Sequence, residues 1–248
     1  MEVSLYQAAA AMNATERWQE MISDNLAAAS VPGARKREIS FSAVQAGMAS
    51  NASSFGNTGY VLPSANAMTN FEQGELHPSG NSMDFALEGS GFFSVQMPDG
   101  QRAYTRNGQF QLNAQGQLVT SQGFRVLGDS GPIQFDAGSS SPITISASGE
   151  VNQGGDQKGK LQIAEFNKPN LLTALGGSLF RANNPDLKIT PTGSTHVRQG
   201  SVENANTSPT TEMASLITAM RLFESNQKVL QMQSDRMSRE ISDLGNPG

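Results

Sequence analysis

Helical periodicity opens and closes the chain, and a strand-like alternation fills the middle. From about Val3 to Ala29 the sequence is rich in Ala, Met, Glu and Gln and carries no Gly or Pro. It sets Leu5, Ala8, Met12, Ile22 and Leu26 on one helical stripe, with polar Thr15 and Gln19 at the positions between. Pro32-Gly33 stops the run, because proline lacks an N–H and biases Val31 away from helical angles. A second helix is predicted from Ser208 to about Leu244. Ser208 is its N-cap, Pro209 its first residue, Glu212 sits near the positive end of the dipole, and Gly245 then Pro247 are the stop. Its seam alternates by three and four residues: Met213, Leu216, Met220, Phe223, Gln227, Leu230, Ser234, Met237, Ile241, Leu244. Sustained over about four heptads, that spacing is a coiled-coil repeat. Roughly 36 residues make a rod on the order of 54 Å, which needs a partner to be stable. The first helix is the obvious one within the chain, although polar Gln227 and Ser234 weaken the seam. An ordinary helical hairpin covering a β domain has the same periodicity.

Between the helices, turn signals recur at Asp99-Gly100, Asn107-Gly108, Gln115-Gly116 and Gln122-Gly123, with short alternating or aromatic runs between them. This describes a β-meander, with strands over 91–97, 103–107, 109–113, 117–121 and 124–128. Further candidates at 142–146, 150–152 and 161–166 extend the β region to about Phe180. Residues 47–70 are rich in Gly, Ser and Asn with little periodicity, and 186–208 is a second polar connection. The predicted fold class is α+β, with long N- and C-terminal helices paired as a coiled coil and an inserted, mainly antiparallel β domain. The predicted divisions are 1–33 for the first helix, 34–74 for an extended linker, 75–200 for the β domain and 201–248 for the last helix.

Composition narrows the function. The net charge is -5, with acids and bases interspersed, so no basic patch points to nucleic acid. Cysteine is absent, which removes disulfides, thiolate catalysis and zinc–thiolate sites. The amino terminus lacks the basic start, apolar run and small-residue cleavage site of a secretory signal. No apolar stretch approaches the roughly 18 residues of a membrane span, so no membrane insertion is expected. On these grounds alone the chain reads as cytoplasmic.

Chemical motifs are few. Gly154-Gly155-Asp156-Gln157-Lys158-Gly159-Lys160 fits the first seven positions of a phosphate-binding loop, but Leu161 stands where Mg²⁺ coordination requires Ser or Thr. It reads as a β-turn. His77 and His196 are the two histidines, and each lies apart from other ligand types, so no metal site is expected. A Ser-His-Asp triad is not refuted by sequence, but no G-x-S-x-G elbow is present. Arg35-Lys36-Arg37, the densest basic run, reads either as a solvated segment beyond a helix end or as a contact for an anionic partner. No cofactor and no catalytic residue are expected.

Three stretches resemble the flagellar rod and hook family. At the start, Asp24-Asn25-Leu26-Ala27 followed by Gly33 and basic Arg35 is similar to the family's opening signature, with Ala28, Val31 and Ala34 departing from it. In the middle, residues 83–128 resemble the family's β-domain signature nearly residue for residue, through Gly89, Gly91, Phe92, Phe93, Asp99, Gly100, Tyr104, Thr105, Arg106 and Gly108. At the end, residues 200–237 resemble its closing segment, in which Arg221, Phe223, Glu224 and Asn226 fill the central Arg-aromatic-Glu and Asn positions. The likeness is to rod members placed proximally first and distally next.

The resemblance implies paired terminal helices forming the inner tube of an axial filament, with the β domain packed outside. It implies export through the flagellum's own secretion apparatus without a cleaved signal, which replaces the cytoplasmic reading by a place in the basal body. Implied partners are other rod subunits, self and neighbouring rod or hook proteins, and the export apparatus. The assembly seam expected to hold them is Leu5, Met12, Ile22 and Leu26 with Met213, Leu216, Met220, Phe223, Leu230, Met237 and Ile241. A secreted enzyme on a β scaffold and a surface adhesin or other fibre protein are the rival readings.

Overall fold

The Ala-rich opening segment becomes a single helix, α1 (Glu2–Ala28), and Val31 N–H closes a turn on Ala28 O before Pro32-Gly33 diverts the chain. The closing segment becomes α2 (Pro209–Gly245), opened by a proline whose missing N–H has no partner to lose there. The computed structural model describes residues 2–46, 60–136, 139, 141–190 and 193–245, without the side chains of 2–5, 43–46, 60–63, 65 and 243–245.

Between the helices lie β1 (Arg37–Ala46), β2 (Tyr60–Thr69), β3 (Leu76–Pro78), β4 (Phe85–Glu88), β5 (Phe92–Gln96), β6 (Arg102–Thr105), β7 (Phe110–Leu112), β8 (Leu118–Thr120) and β9 (Arg125–Gly128). They are followed by β10 (Gly131–Pro132), β11 (Ile143–Ile145), β12 (Glu150–Gln153), β13 (Asp156–Lys160) and β14 (Ile163–Phe166). After a 3₁₀ turn at Pro169–Leu171 come β15 (Thr173–Gly176), β16 (Leu179–Arg181), β17 (Ile189–Thr190), β18 (His196–Gln199) and β19 (Ser201–Glu203).

The chain divides into two units: 1–26, 37–68 and 209–248 form one, while 27–36 and 69–208 form the other. In the helical unit, Asn25 donates to Glu212 at 3.3 Å and Asn226 donates to Thr15 at 3.4 Å. The contact moves back along α2 as it moves forward along α1, so the helices lie close together and antiparallel. β1 pairs with β2, and Phe41 on β1 meets Trp18 of α1 edge to face at 5.9 Å. The 34–74 stretch, expected as extended linker, thus contains two ten-residue strands. Alternation in REISFSAVQA is visible in retrospect; pairing across the intervening polar residues is what single-strand periodicity does not show.

The β unit is antiparallel. Its largest sheet runs β15-β16-β6-β5-β9-β8-β7, with β10 on β9, β14 on β5 and β17 on β14. Three of the four turn signals fall between paired strands: Asp99-Gly100 between β5 and β6, Gln115-Gly116 between β7 and β8, and Gln122-Gly123 between β8 and β9. There Met97 N–H binds Gln101 O, and Thr120 N–H binds Phe124 O. Asn107-Gly108 does not, because β6 pairs with β5 and β16 and β7 with β8, so the simple meander is broken there. β11, β12 and β13 form a three-stranded sheet, and the phosphate-loop look-alike is the β12–β13 hairpin. Inward positions make one core around Phe85, Leu87, Phe93, Val95, Phe110, Leu118, Val126 and Val151. A second, aromatic core holds Phe92, Tyr104, Phe166 and Phe180. Each fully buried Leu, Val or Phe contributes roughly 1.5–3 kcal/mol.

One expectation is corrected here. The β region does not end near Phe180: the polar connection at 186–208 contains β17, β18 and β19. β18 pairs with β4 and β19 with β3, so the stretch is held by strands far earlier in the chain. β4 itself was not anticipated, because FALE is too short to show alternation.

Candidate assembly interface

The shielded side of each helix follows a heptad spacing. On α1, Ala8, Thr15, Ile22 and Asn25 are buried, and Ala11 and Trp18 are partly so, at intervals of three and four. On α2 the shielded positions are Glu212, Leu216, Ala219, Phe223, Asn226, Leu230, Gln233, Met237 and Glu240, alternating four and three. Five of the eleven expected seam residues lie on this stripe: Ile22, Leu216, Phe223, Leu230 and Met237. Five others stand one residue beyond a stripe position. Met213, Met220 and Ile241 are 53, 51 and 65% exposed, while Ala219 next to Met220 is fully buried. Met12 and Leu26 are partly buried beside the stripe, and the side chain of Leu5 lies outside the described residues.

Polar chemistry accounts for the rotation. Turning α2 by this amount leaves Gln227 and Ser234 exposed and brings Asn226 to Thr15 and Glu212 to Asn25. A buried polar group with a partner costs far less than one without. The rotation frees two apolar flanks on α2. Met213, Ile217 and Met220 line one, and Leu222, Val229 and Met232 line the other, all exposed. Contiguous exposed apolar side chains of this kind mark an interaction surface.

Most motif residues hold the fold. Asn25 forms a two-point pair with the Arg37 backbone, donating to its O and accepting from its N–H, both at 2.8 Å, as a strand partner would. Leu26 and Ala27 follow it on the last turn of α1. Gly33, at φ +68°, lies so close to Arg106 that a Cβ would overlap the Arg106 carbonyl carbon, and at Gly108 a Cβ would overlap Phe85 O. Gly89 O accepts from Arg106 at 2.6 Å, and Gly91 N–H donates to Thr195 Oγ1 at 3.0 Å. Asp99 Oδ1 caps Gln101 N–H at 2.9 Å, with Gly100 at the tip of that turn. Phe93 packs on Phe110 at 5.1 Å, and Tyr104 on Phe166 at 4.9 Å. Burial raises the Tyr104 hydroxyl pKa against the opposing pull of Arg102. Thr105 donates to Ser178 O at 3.0 Å.

Two buried arginines converge on one carboxylate. Arg35 Nη1 lies 2.7 Å and Arg106 Nη1 3.3 Å from Glu203, and the Arg35 and Glu203 side chains are wholly buried. Arg35 is therefore neither solvated nor free for an outside partner. Lys36 and Arg37 are partly exposed, and Arg37 pairs with Asp24 at 3.0 Å. Burial lowers the Arg106 pKa to about 10, opposed by the charge of Glu203 and reinforced by Arg35. It stays cationic at neutral pH, where its protonation penalises the fold; that penalty is relieved only above about 10. The guanidinium also sits 4.9 Å from the Phe92 ring centre. Neither Glu203 nor its pairing stood out in the sequence.

Groups capable of chemistry are scattered. His77 pairs with Glu75 at 3.2 Å in a half-exposed position, and His196 lies on β18. Among the described residues, no three His, Asp or Glu side chains are grouped to hold a metal, and no helix is long and apolar enough to cross a membrane. A cleft of about 260 Å³ in the helical unit is lined by Arg17, Glu20, Met21, Arg37, Ile39 and Ala67, with neither histidine nor serine on its wall. On α2, Arg221 and Glu224 project into solvent, whereas Asn226 is spent on Thr15.

Residues 86–153 match the Flagellar hook protein FlgE/F/G D1 domain, and residues 198–244 match the Flagellar basal body rod FlgEFG protein C-terminal family. The flagellar basal-body rod protein FlgF of Mesorhizobium japonicum is 30% identical over 247 residues, covering 99% of each chain. FlgG of Borreliella burgdorferi, also a flagellar basal-body rod protein, is 32% identical over 256 residues, covering 94% of this chain and 95% of its own. The chain belongs to the flagellar basal-body rod protein family. FlgF of Escherichia coli is similar as well, at 29% identity over 259 residues, with 96% of this chain and 97% of that one covered. As a member of a family of structural rod subunits, the chain has its place in the basal body, and motility is the process it serves. Within this rod protein the D1 match runs from inside β4 to the end of β12, and the C-terminal match runs from the second half of β18 through β19 and nearly all of α2.

Proposed function

We propose that this rod subunit is a non-catalytic component of the drive shaft that polymerises through the outer flanks of its paired helices. The observation that carries this reading is the pair of exposed apolar flanks on α2, left over after its inner stripe has met α1. Two flanks serve two neighbours, so each subunit extends the antiparallel pair into a coiled-coil layer around the axis. Each Leu or Met so buried contributes roughly 1.5–3 kcal/mol. Identical head-to-tail contacts that do not close produce a helical array.

The partners are further copies and neighbouring rod or hook subunits, and the position is proximal along the shaft. Export through the flagellar apparatus without a cleaved signal delivers the chain, and its ends complete their order on the growing rod. The test is recovery of the chain in basal bodies isolated from flagellated cells. It should copurify with the rod after hook and filament are removed. Its absence there, or a measurable turnover by the dilute monomer, overturns the reading.

A further inference from the structure

Three chain segments that are remote in sequence meet at the margin of the β unit, and two residues join all of them. Glu203 accepts from Arg35 Nη1 at 2.7 Å, from Gly74 N–H at 2.8 Å and from Arg106 Nη1 at 3.3 Å, while its backbone carbonyl accepts from Gly33 N–H at 2.7 Å. Asn206, one helical turn's length further on, ties the same segments by neutral bonds. Its Oδ1 accepts from Lys36 N–H at 2.6 Å, and its Nδ2 donates to Asn70 O and Glu72 O, each at 3.0 Å. The circle closes with Asn70 N–H on Lys36 O at 2.8 Å and Asn204 N–H on Glu75 O at 2.9 Å.

We propose that this clasp of residues 33–36, 70–75 and 203–206 is a cooperative lock, which opens or closes only as a whole and so fixes the chain's arrival at the β unit to its departure. Charge is the reason for cooperativity. With Glu203 withdrawn, the buried Arg35 and Arg106 guanidiniums lose the carboxylate that joins them, leaving Arg106 only the weaker charge of Glu165; with Arg35 and Arg106 withdrawn, a buried carboxylate keeps only the Gly74 N–H. Either half-open state costs more than full closure or full opening. Sterics add to this, since a Cβ at Gly33 would strike the Arg106 backbone and one at Gly74 would strike Asn204 O, leaving no slack for one segment to shift alone. For a subunit under torsion, such a lock keeps residues 33–36 and 203–206 from being peeled off one at a time.

Amide hydrogen exchange on the full-length monomer tests the lock, because some amides in the clasp never touch Glu203. In Glu203→Gln, the Lys36 and Asn70 amides should lose protection together with those of Gly33 and Gly74, each by more than about tenfold, while the Val95 and Val126 amides in the sheet stay protected. Loss confined to Gly33 and Gly74, the direct partners of Glu203, overturns the proposal. Asn206→Ala removes no charge and tests the reverse direction even if Glu203→Gln does not fold. It should expose the Gly33 and Gly74 amides, and a change limited to Lys36 refutes cooperativity.

Discussion

At Gly33 and Gly108 the backbone of the β unit leaves no room for a side chain, and single atoms decide the outcome. Gly33→Ala combines a positive φ with overlap onto Arg106, and is expected to lower stability by about 1–3 kcal/mol in urea unfolding. Gly100→Ala, at a turn tip open to solvent, should cost less than Gly33→Ala because only the backbone term remains. Asn25→Asp is isosteric but cannot donate to Arg37 O, and it sets a second carboxylate beside Glu212. It should cost more than Asn25→Ala, measured by the same unfolding midpoint. The sequence marked Asn25, Gly33 and Arg106 through family likeness without giving their reasons. Glu203 was invisible because its partners lie 97 and 168 residues away, and ion pairs at that range leave no local pattern.

Helix existence was legible from periodicity, but helix rotation was not. A three-four alternation is satisfied equally by Met220 and by its neighbour Ala219, and the choice falls to polar partners on the facing helix. Leu230→Asp places a charge on the inner stripe, so it should reduce the helical signal of the monomer by circular dichroism. Met220→Asp should leave that signal unchanged, since its side chain is already half in water. An equal loss in both variants would argue against the rotated stripe. Strands β17 to β19 read as polar linker because their partners, β14, β4 and β3, come from elsewhere in the chain. Meander strands joined by tight turns were legible because pairing there is local.

For the whole molecule, the chain divides into a helical unit and a β unit, and the proposed assembly uses the first. If ordering of the ends is completed on the rod, protease should cut the dilute monomer before about residue 27 and after about 208, sparing the β unit. Resistant ends in the monomer would remove that step from assembly. Architecture was readable from the sequence as helix, β region, helix; the exposed flanks of α2 were not, since they are defined by which face the chain uses for itself. Incorporation of Met213→Asp/Met220→Asp into isolated basal bodies measures those flanks most directly. The variant monomer should fold as the wild type does yet be absent from the rod, with motility lost; incorporation at the wild-type level with normal swimming would contradict assembly through this face of α2.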